Sequence, residues 1–193
     1  MYKIIGLVGS PRKENTYFLT QTALAEVKKH NIKTELIHLG KLNIKPCNVC
    51  NACIKQGKCI IDDDYNKISE KIKDADGIIM SSPVYFGGVS AQLKAFMDRT
   101  RHLRREDALT DKITGAIAVG ASRNGGQETT IQQIHNFFLI HGAIIVGDEK
   151  TRHYGGTGQA SKLEDIKNDN HAIETSKNLG AHIAKVVLKL NKE

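Results

Sequence analysis

A doubly wound α/β domain built on a five-stranded parallel sheet is the architecture this chain's patterning predicts. Short apolar runs alternate with stretches of helical spacing, the turns between them are short, and the turns after the first, third and fourth runs gather glycine and hydroxyl residues. Strand–helix alternation of this kind implies parallel strands covered by helices on both faces.

The elements follow in order. Lys3 to Val8 (K-I-I-G-L-V) reads as a buried strand ending in Gly9-Ser10-Pro11. A helix is expected from Thr16 to about His30, with Phe18, Leu19, Thr22, Ala23, Glu26 and Val27 on one face, and a second strand from Lys33 to Leu39. After a cysteine-rich segment over 45–62, Asp62-Asp63-Asp64 resembles the acidic start of a helix reaching Lys73. Gly77 to Ser81 is a third strand, broken by Pro83, and Ser90 to about Arg104 a helix burying Leu93, Phe96, Met97 and Thr100. Ile113 to Val119, Gln127 to Ile140 and Gly142 to Val146 supply strand, helix and strand. The last helix is expected over Ala160 to Leu190, with a break near Asn168 to Asn170.

With 193 residues, 40% apolar and 25% charged, the chain fits a single domain over 1–193. Its apolar runs fall far short of the roughly 20 residues that span a bilayer, so no membrane partner is expected. Met1 leads into a strand-like run, without the basic region and long apolar stretch of an export signal, so a cytoplasmic location is expected. The net charge of +7 is scattered, and no nucleic-acid-binding motif accompanies it. Arg99, Arg101, Arg104 and Arg105 concentrate charge locally, as a helix end with cations complementing its dipole. An acidic electron carrier docking there, or a subunit contact, is the functional alternative.

In a doubly wound sheet, ligands sit outside the carboxyl ends of the strands, where the strand order switches. Three loops belong there. Gly9 to Thr16 places Ser10, Arg12, Asn15 and Thr16 before a helix N-terminus, where free N–H groups attract phosphate. The same loop also reads as a plain strand–helix turn with Asn15 or Thr16 as N-cap. The second loop runs Ser82-Pro83-Val84-Tyr85-Phe86-Gly87-Gly88, offering extended backbone, aromatic surface and glycines that let the main chain approach a flat ring. The third, with Ser122, Arg123, Gly125 and Gly126, is glycine-rich and polar. Together the three suit flavin mononucleotide (FMN). Gly156 to Ser161 approximates a dinucleotide-binding glycine pattern but lacks its third glycine, and it is read as a flexible loop.

All four cysteines, Cys47, Cys50, Cys53 and Cys59, lie within thirteen residues, spaced C-x2-C-x2-C-x5-C. Thiolates so crowded suit an iron–sulfur cluster, for which Cys-x2-Cys-x2-Cys runs are common. Structural zinc usually takes two separated Cys-x2-Cys knuckles. Stable disulfides are disfavoured in a reducing cytoplasm. Zinc, disulfides and free thiols remain the alternatives. No Ser-His-Asp set or paired histidine spacing stands out, and no catalytic acid or base is nominated.

The motifs G-S-P-R-K-E-N-T, the compact cysteine run, D-D-D-Y, S-P-V-Y-F-G-G-V-S-A-Q-L-K-A-F-M-D-R and S-R-N-G-G-Q-E resemble, in order, those of the iron–sulfur flavoproteins. That family lies within the NADPH-dependent FMN reductase and flavodoxin-like superfamily. The resemblance implies a flavodoxin-like fold with the cysteine loop inserted after strand 2. It also implies one FMN and one 4Fe-4S cluster per chain, in a homodimer or tetramer. Electron transfer from ferredoxin, with reduction of oxygen or peroxide, is the expected role. FMN phosphate contacts fall on Ser10, Arg12, Asn15 and Thr16, ring contacts on Pro83 to Gly87, and further contacts on Ser122 to Gly126. An NAD(P)H-dependent FMN or quinone reductase with structural or zinc-bound cysteines is the rival reading. A flavin-dependent redox regulator is the third.

Overall fold

A computed structural model describes residues 1–190. Its parallel sheet is formed by β1 (Lys3–Val8), β2 (Lys33–His38), β3 (Gly77–Pro83), β4 (Ile113–Gly120) and β5 (Ile144–Ile145), in the order β2-β1-β3-β4-β5. A sixth strand, β6 (Gly156–Gln159), also pairs with β4. β5 covers Ile113 and Thr114, and β6 covers Ile117 to Gly120, so one sheet edge is assembled from two pieces.

This edge corrects two expectations. The expected fifth strand shrinks to two residues, and the glycine segment read as a flexible loop is a strand whose Gly156, Thr157 and Gly158 are buried. A Cβ on Gly156 or Gly158 would strike Ser176 or Ile166 at under 3 Å. Small residues therefore let this strand slide under its neighbours, and their lack of apolar side chains hid it from a hydrophobic-pattern reading.

Adjacent strand residues alternate between two cores. Ile5, Leu7, Ile78 and Met80 pack beneath α3 (Tyr65–Lys73), α4 (Ala91–Asp98) and α6 (Gln127–Ile140). Ile4, Ile79, Ile113 and Ile117 pack beneath α1 (Asn15–Lys28) and α7 (Asn170–Leu190). α1 and α7 touch closely: a Cβ on Gly180 would lie 2.2 Å from the Ala23 carbonyl. The last helix begins later than expected, at Asn170, preceded by a 3-10 turn over Asp165–Asn168.

Two further boundaries bear on function. β3 continues through Pro83, whose missing N–H is harmless at a strand end. The single helix expected over 90–104 is two, α4 and α5 (Arg101–Arg105), broken at Arg99 and Thr100. The short helix α2 (Ala52–Gln56) belongs to the cysteine segment, which lies between β2 and α3.

Candidate functional site

The switch in strand order lies between β1 and β3, and there the first two loops meet. Gly9 N–H donates to the Ser81 carbonyl at 2.8 Å. Ser90, the N-cap of α4, donates its hydroxyl to the Gly9 carbonyl and accepts from Leu93 N–H. The resulting pocket, about 140 Å³, is lined by Ser10, Arg12, Asn15 and Thr16 on one side and Pro83, Val84 and Tyr85 on the other. Glu14, Val119, Ala121, Ala160 and Ser161 complete it, the last two from the segment that follows β6.

The floor of this pocket is the N-terminus of α1, whose cap residue Glu14 makes no side-chain cap bond. The expected capping by Asn15 or Thr16 does not occur. Asn15 instead donates its amide to the Lys162 carbonyl at 2.8 Å and accepts from Ile166 N–H at 3.4 Å, lashing the first loop to the segment after β6. An uncapped helix start retains N–H groups and the positive end of its dipole for an anion. Ser10 is held by His38, whose Nε2 lies 2.8 Å from the Ser10 carbonyl. Gly40 is also needed: a Cβ there would sit 2.3 Å from that carbonyl.

Tyr85 to Gly88 forms a tight turn, with Tyr85 N–H donating to Gly88 O at 2.9 Å and Gly88 N–H to Tyr85 O at 3.1 Å. Phe86 has φ +52 and projects fully into solvent, an unfavourable backbone for a bulky residue. Thr129 and Gln133 of α6 brace the turn through Gly87 O and Val89 N–H. Phe86 and Gly87 therefore lie beyond the pocket lining. So do Ser122, Arg123, Gly125 and Gly126. Arg123 pairs with Asp169 at 2.9 Å, and the third loop is organised by buried Gln127, which bonds Ser122 O, Gly158 O and Gly125 N–H.

The four cysteines line a second cavity, of about 60 Å³, with Asn48, Val49, Asn51, Ile60, Ile61, Asp98, Arg99 and Arg101. Cys47 and Cys50 are exposed, Cys53 is partly covered and Cys59 is buried. Val49 and Asn51 adopt φ of +57 and +60. For β-branched Val49 that is a marked departure from preferred geometry. No three histidine, cysteine or acidic side chains among the described residues are arranged around a single metal ion. The thiols share a cavity rather than a point.

Arg99 closes its inner wall and corrects an expectation: it is not part of a solvated helix end. Its side chain and that of Asp63 are both 0% exposed and ion-paired. One guanidinium nitrogen, Nη1, donates to Asp63 and to the Lys45 carbonyl at 3.1 Å. The other, Nη2, donates to Asp63 at 2.9 Å, to the Ile61 carbonyl at 3.4 Å and to Cys59 Sγ at 3.2 Å. Below it, the Tyr65 ring lies 4.3 Å from the guanidinium carbon, and Tyr65 donates its hydroxyl to the Arg99 carbonyl.

Burial alone lowers the Arg99 pKa, but the bonds to Asp63 and Cys59 outweigh it and leave it raised. Burial raises that of Asp63, and bonds from Arg99 and from the N–H groups of Lys45 and Tyr65 bring it below the usual carboxylate value. The pair stays charged. Sequence reading missed Arg99 and Asp63 as site residues, although Arg99, three residues after Phe96, caps the C-terminus of α4 in line with its apolar face. Neither pocket shares a lining residue with the other. Ser90 marks the end of α4 beside the β1–β3 pocket and Arg99 the end beside the cysteine cavity, about 13 Å of helix apart.

Both donor sets fit what the motifs imply: an uncapped helix start with hydroxyls for a phosphate, and four thiols lining one cavity with a buried donor for a cluster. The sequence matches the NADPH-dependent FMN reductase family over residues 2–154. It is 56% identical to an iron–sulfur flavoprotein of Methanocaldococcus jannaschii, over 98% of this chain and 100% of that one. Identity to an iron–sulfur flavoprotein of Methanosarcina thermophila is 45%, over 92% and 93% of the two chains. The fold resembles a WrbA-like flavodoxin from Agrobacterium tumefaciens, with a TM-score of 0.69 at 20% identity over 98% and 99% of the chains. An archaeal flavodoxin gives a TM-score of 0.63 at 16% identity over 96% and 99%. The chain belongs to the NADPH-dependent FMN reductase family and, within it, to the iron–sulfur flavoproteins.

Proposed function

We propose that this chain is an electron-transfer flavoprotein holding FMN in the β1–β3 pocket and a 4Fe-4S cluster on Cys47, Cys50, Cys53 and Cys59. The observation that carries this reading is the shared cavity of all four cysteines, walled by a buried guanidinium that donates to Cys59 Sγ. When bound, a cluster exchanges single electrons and a flavin one or two, so the pair links one-electron donors to two-electron chemistry.

The chain's own residues bind, orient and insulate. The α1 N-terminus, Ser10, Arg12 and Thr16 receive the phosphate; Pro83, Val84 and Tyr85 wall the ring. Phe86 and Gly87 flank that wall, and Ser122, Arg123, Gly125 and Gly126 shape the neighbouring loop rather than lining the pocket. No side chain is required as a general acid or base. The donor we propose is an acidic one-electron carrier of the ferredoxin kind, favoured by the net charge of +7 and by Arg101, Arg104 and Arg105 around one groove. Oxygen or peroxide is the proposed acceptor, the assembly a homodimer or tetramer, and the location cytoplasmic.

The family's NADPH-dependent character favours a second reading, a flavin or quinone reductase whose cysteines hold zinc. Metal and flavin analysis of anaerobically purified protein separates the two. The relay requires about four irons, four sulfides and one FMN per chain. Stoichiometric zinc without iron overturns the relay and leaves the reductase reading.

A further inference from the structure

We infer that Arg99 is a positioning residue for the cluster, holding Cys59 by a charge-assisted bond and setting the cluster's reduction potential from the buried side. This rests on the cluster reading above.

Three features single out this arginine from Arg101, the other cationic residue lining the cavity. Arg99 is buried, whereas Arg101 is exposed and bonds Asn51 Oδ1 at 2.8 Å. Its fork reaches both ends of the cysteine segment, the Lys45 carbonyl before Cys47 and the Ile61 carbonyl after Cys59. And Nη2 donates directly to a ligand sulfur, at 3.2 Å. Arg99 is thus a staple across the base of the loop and a hydrogen-bond donor to the centre at once. The break between α4 and α5 falls at this residue, with Thr100 turned inward to bond the Met97 carbonyl at 2.8 Å and His141 at 3.0 Å.

The electrostatic consequence has a definite sign. One-electron reduction adds one negative charge to the thiolate-ligated centre and makes or breaks no bond. Hydrogen bonds to the sulfurs and local positive charge favour the more negative, reduced form and raise the potential. Asp63 opposes this with its own charge, which is absorbed by Arg99 and by the N–H groups of Lys45 and Tyr65 at 2.8 and 3.0 Å. Removing either partner therefore moves the potential in opposite directions. Arginine is also specific here, because a lysine supplies the charge without the planar fork that spans Asp63, two carbonyls and a sulfur.

The test is an anaerobic dithionite titration, followed by electron paramagnetic resonance, of the wild-type protein and of Arg99→Gln, Arg99→Lys and Asp63→Asn, with iron and sulfide assayed in each. Arg99→Gln shifts the cluster midpoint to more negative values and Asp63→Asn to more positive ones, while Arg99→Lys retains part of the charge effect but loses iron faster to a chelator. Shifts of the same sign in Arg99→Gln and Asp63→Asn, or unchanged midpoints with iron retained, overturn the assignment. Should Arg99→Gln lose its iron, Asp63→Asn decides alone: a midpoint that rises supports the assignment and one that stays or falls overturns it. A wild-type protein without iron and sulfide refutes the cluster reading itself, an outcome distinct from either.

Discussion

Arg99 and Asp63 show how far a single residue's role depends on what surrounds it. Both side chains are wholly buried, so removing one partner leaves the other as an uncompensated charge in a dry site. Arg99→Ala is expected to destabilise the fold by about 3–5 kcal/mol, read from urea unfolding. Replacing both together, as Arg99→Met with Asp63→Asn, is expected to recover much of that loss, and additive losses contradict the account. His141 gives a second residue-scale prediction. Burial, with Arg104 and His102 nearby, lowers its pKa to about 4, and its ring packs on Phe137. Below about pH 6.5 the unfolded chain takes up a proton that the folded one refuses, so stability falls until about pH 4, by on the order of 3 kcal/mol at most. His141→Gln should flatten that part of the stability profile; an unaltered profile assigns the acid sensitivity elsewhere. Neither role was legible in the sequence. A cluster of arginines after an apolar helix reads as a solvated end, and only the fold reveals that Asp63, 36 residues earlier, waits beneath it.

The elements were more readable than their contacts. Strands with β-branched runs, such as K-I-I-G-L-V and I-T-G-A-I-A-V, announce themselves, and so do the helices α1 and α6. β6 did not, because its sequence G-T-G-Q carries no apolar pattern and forms only because β4 offers an open edge. The α4 break escaped for a similar reason: helical periodicity continues across Arg99, and the interruption reflects a tertiary demand on one side chain. The first loop is where element geometry meets chemistry, since the uncapped start of α1 has its anion-attracting groups unspent. Ser10→Asp sets a carboxylate there and should weaken FMN binding tenfold or more, roughly 1.4 kcal/mol. Gly40→Ala should weaken it too, without adding charge, by displacing the Ser10 carbonyl that a Cβ would approach to 2.3 Å. Flavin fluorescence titration checks both, and unchanged affinity in the pair rejects this loop as the phosphate cradle.

At the scale of the whole molecule, one sheet supports two sites that are chemically separate. The pocket proposed for FMN stands at the carboxyl edge, at the switch in strand order, and the cysteine cavity lies beside the far end of α4. The glycine-hydroxyl loops and the cysteine spacing pointed in the sequence to the residues that line these two pockets. That the two pockets share no lining residue was not readable, because it depends on the course of α4 between them. Within one chain the span of α4 intervenes, and the two centres answer to different residues. The central claim is therefore that cluster and flavin are held independently. Quantifying iron and FMN together in Cys53→Ala tests it most directly: the account predicts loss of the cluster with FMN still bound at one per chain, and loss of FMN alongside the iron, or iron retained in full, would contradict it.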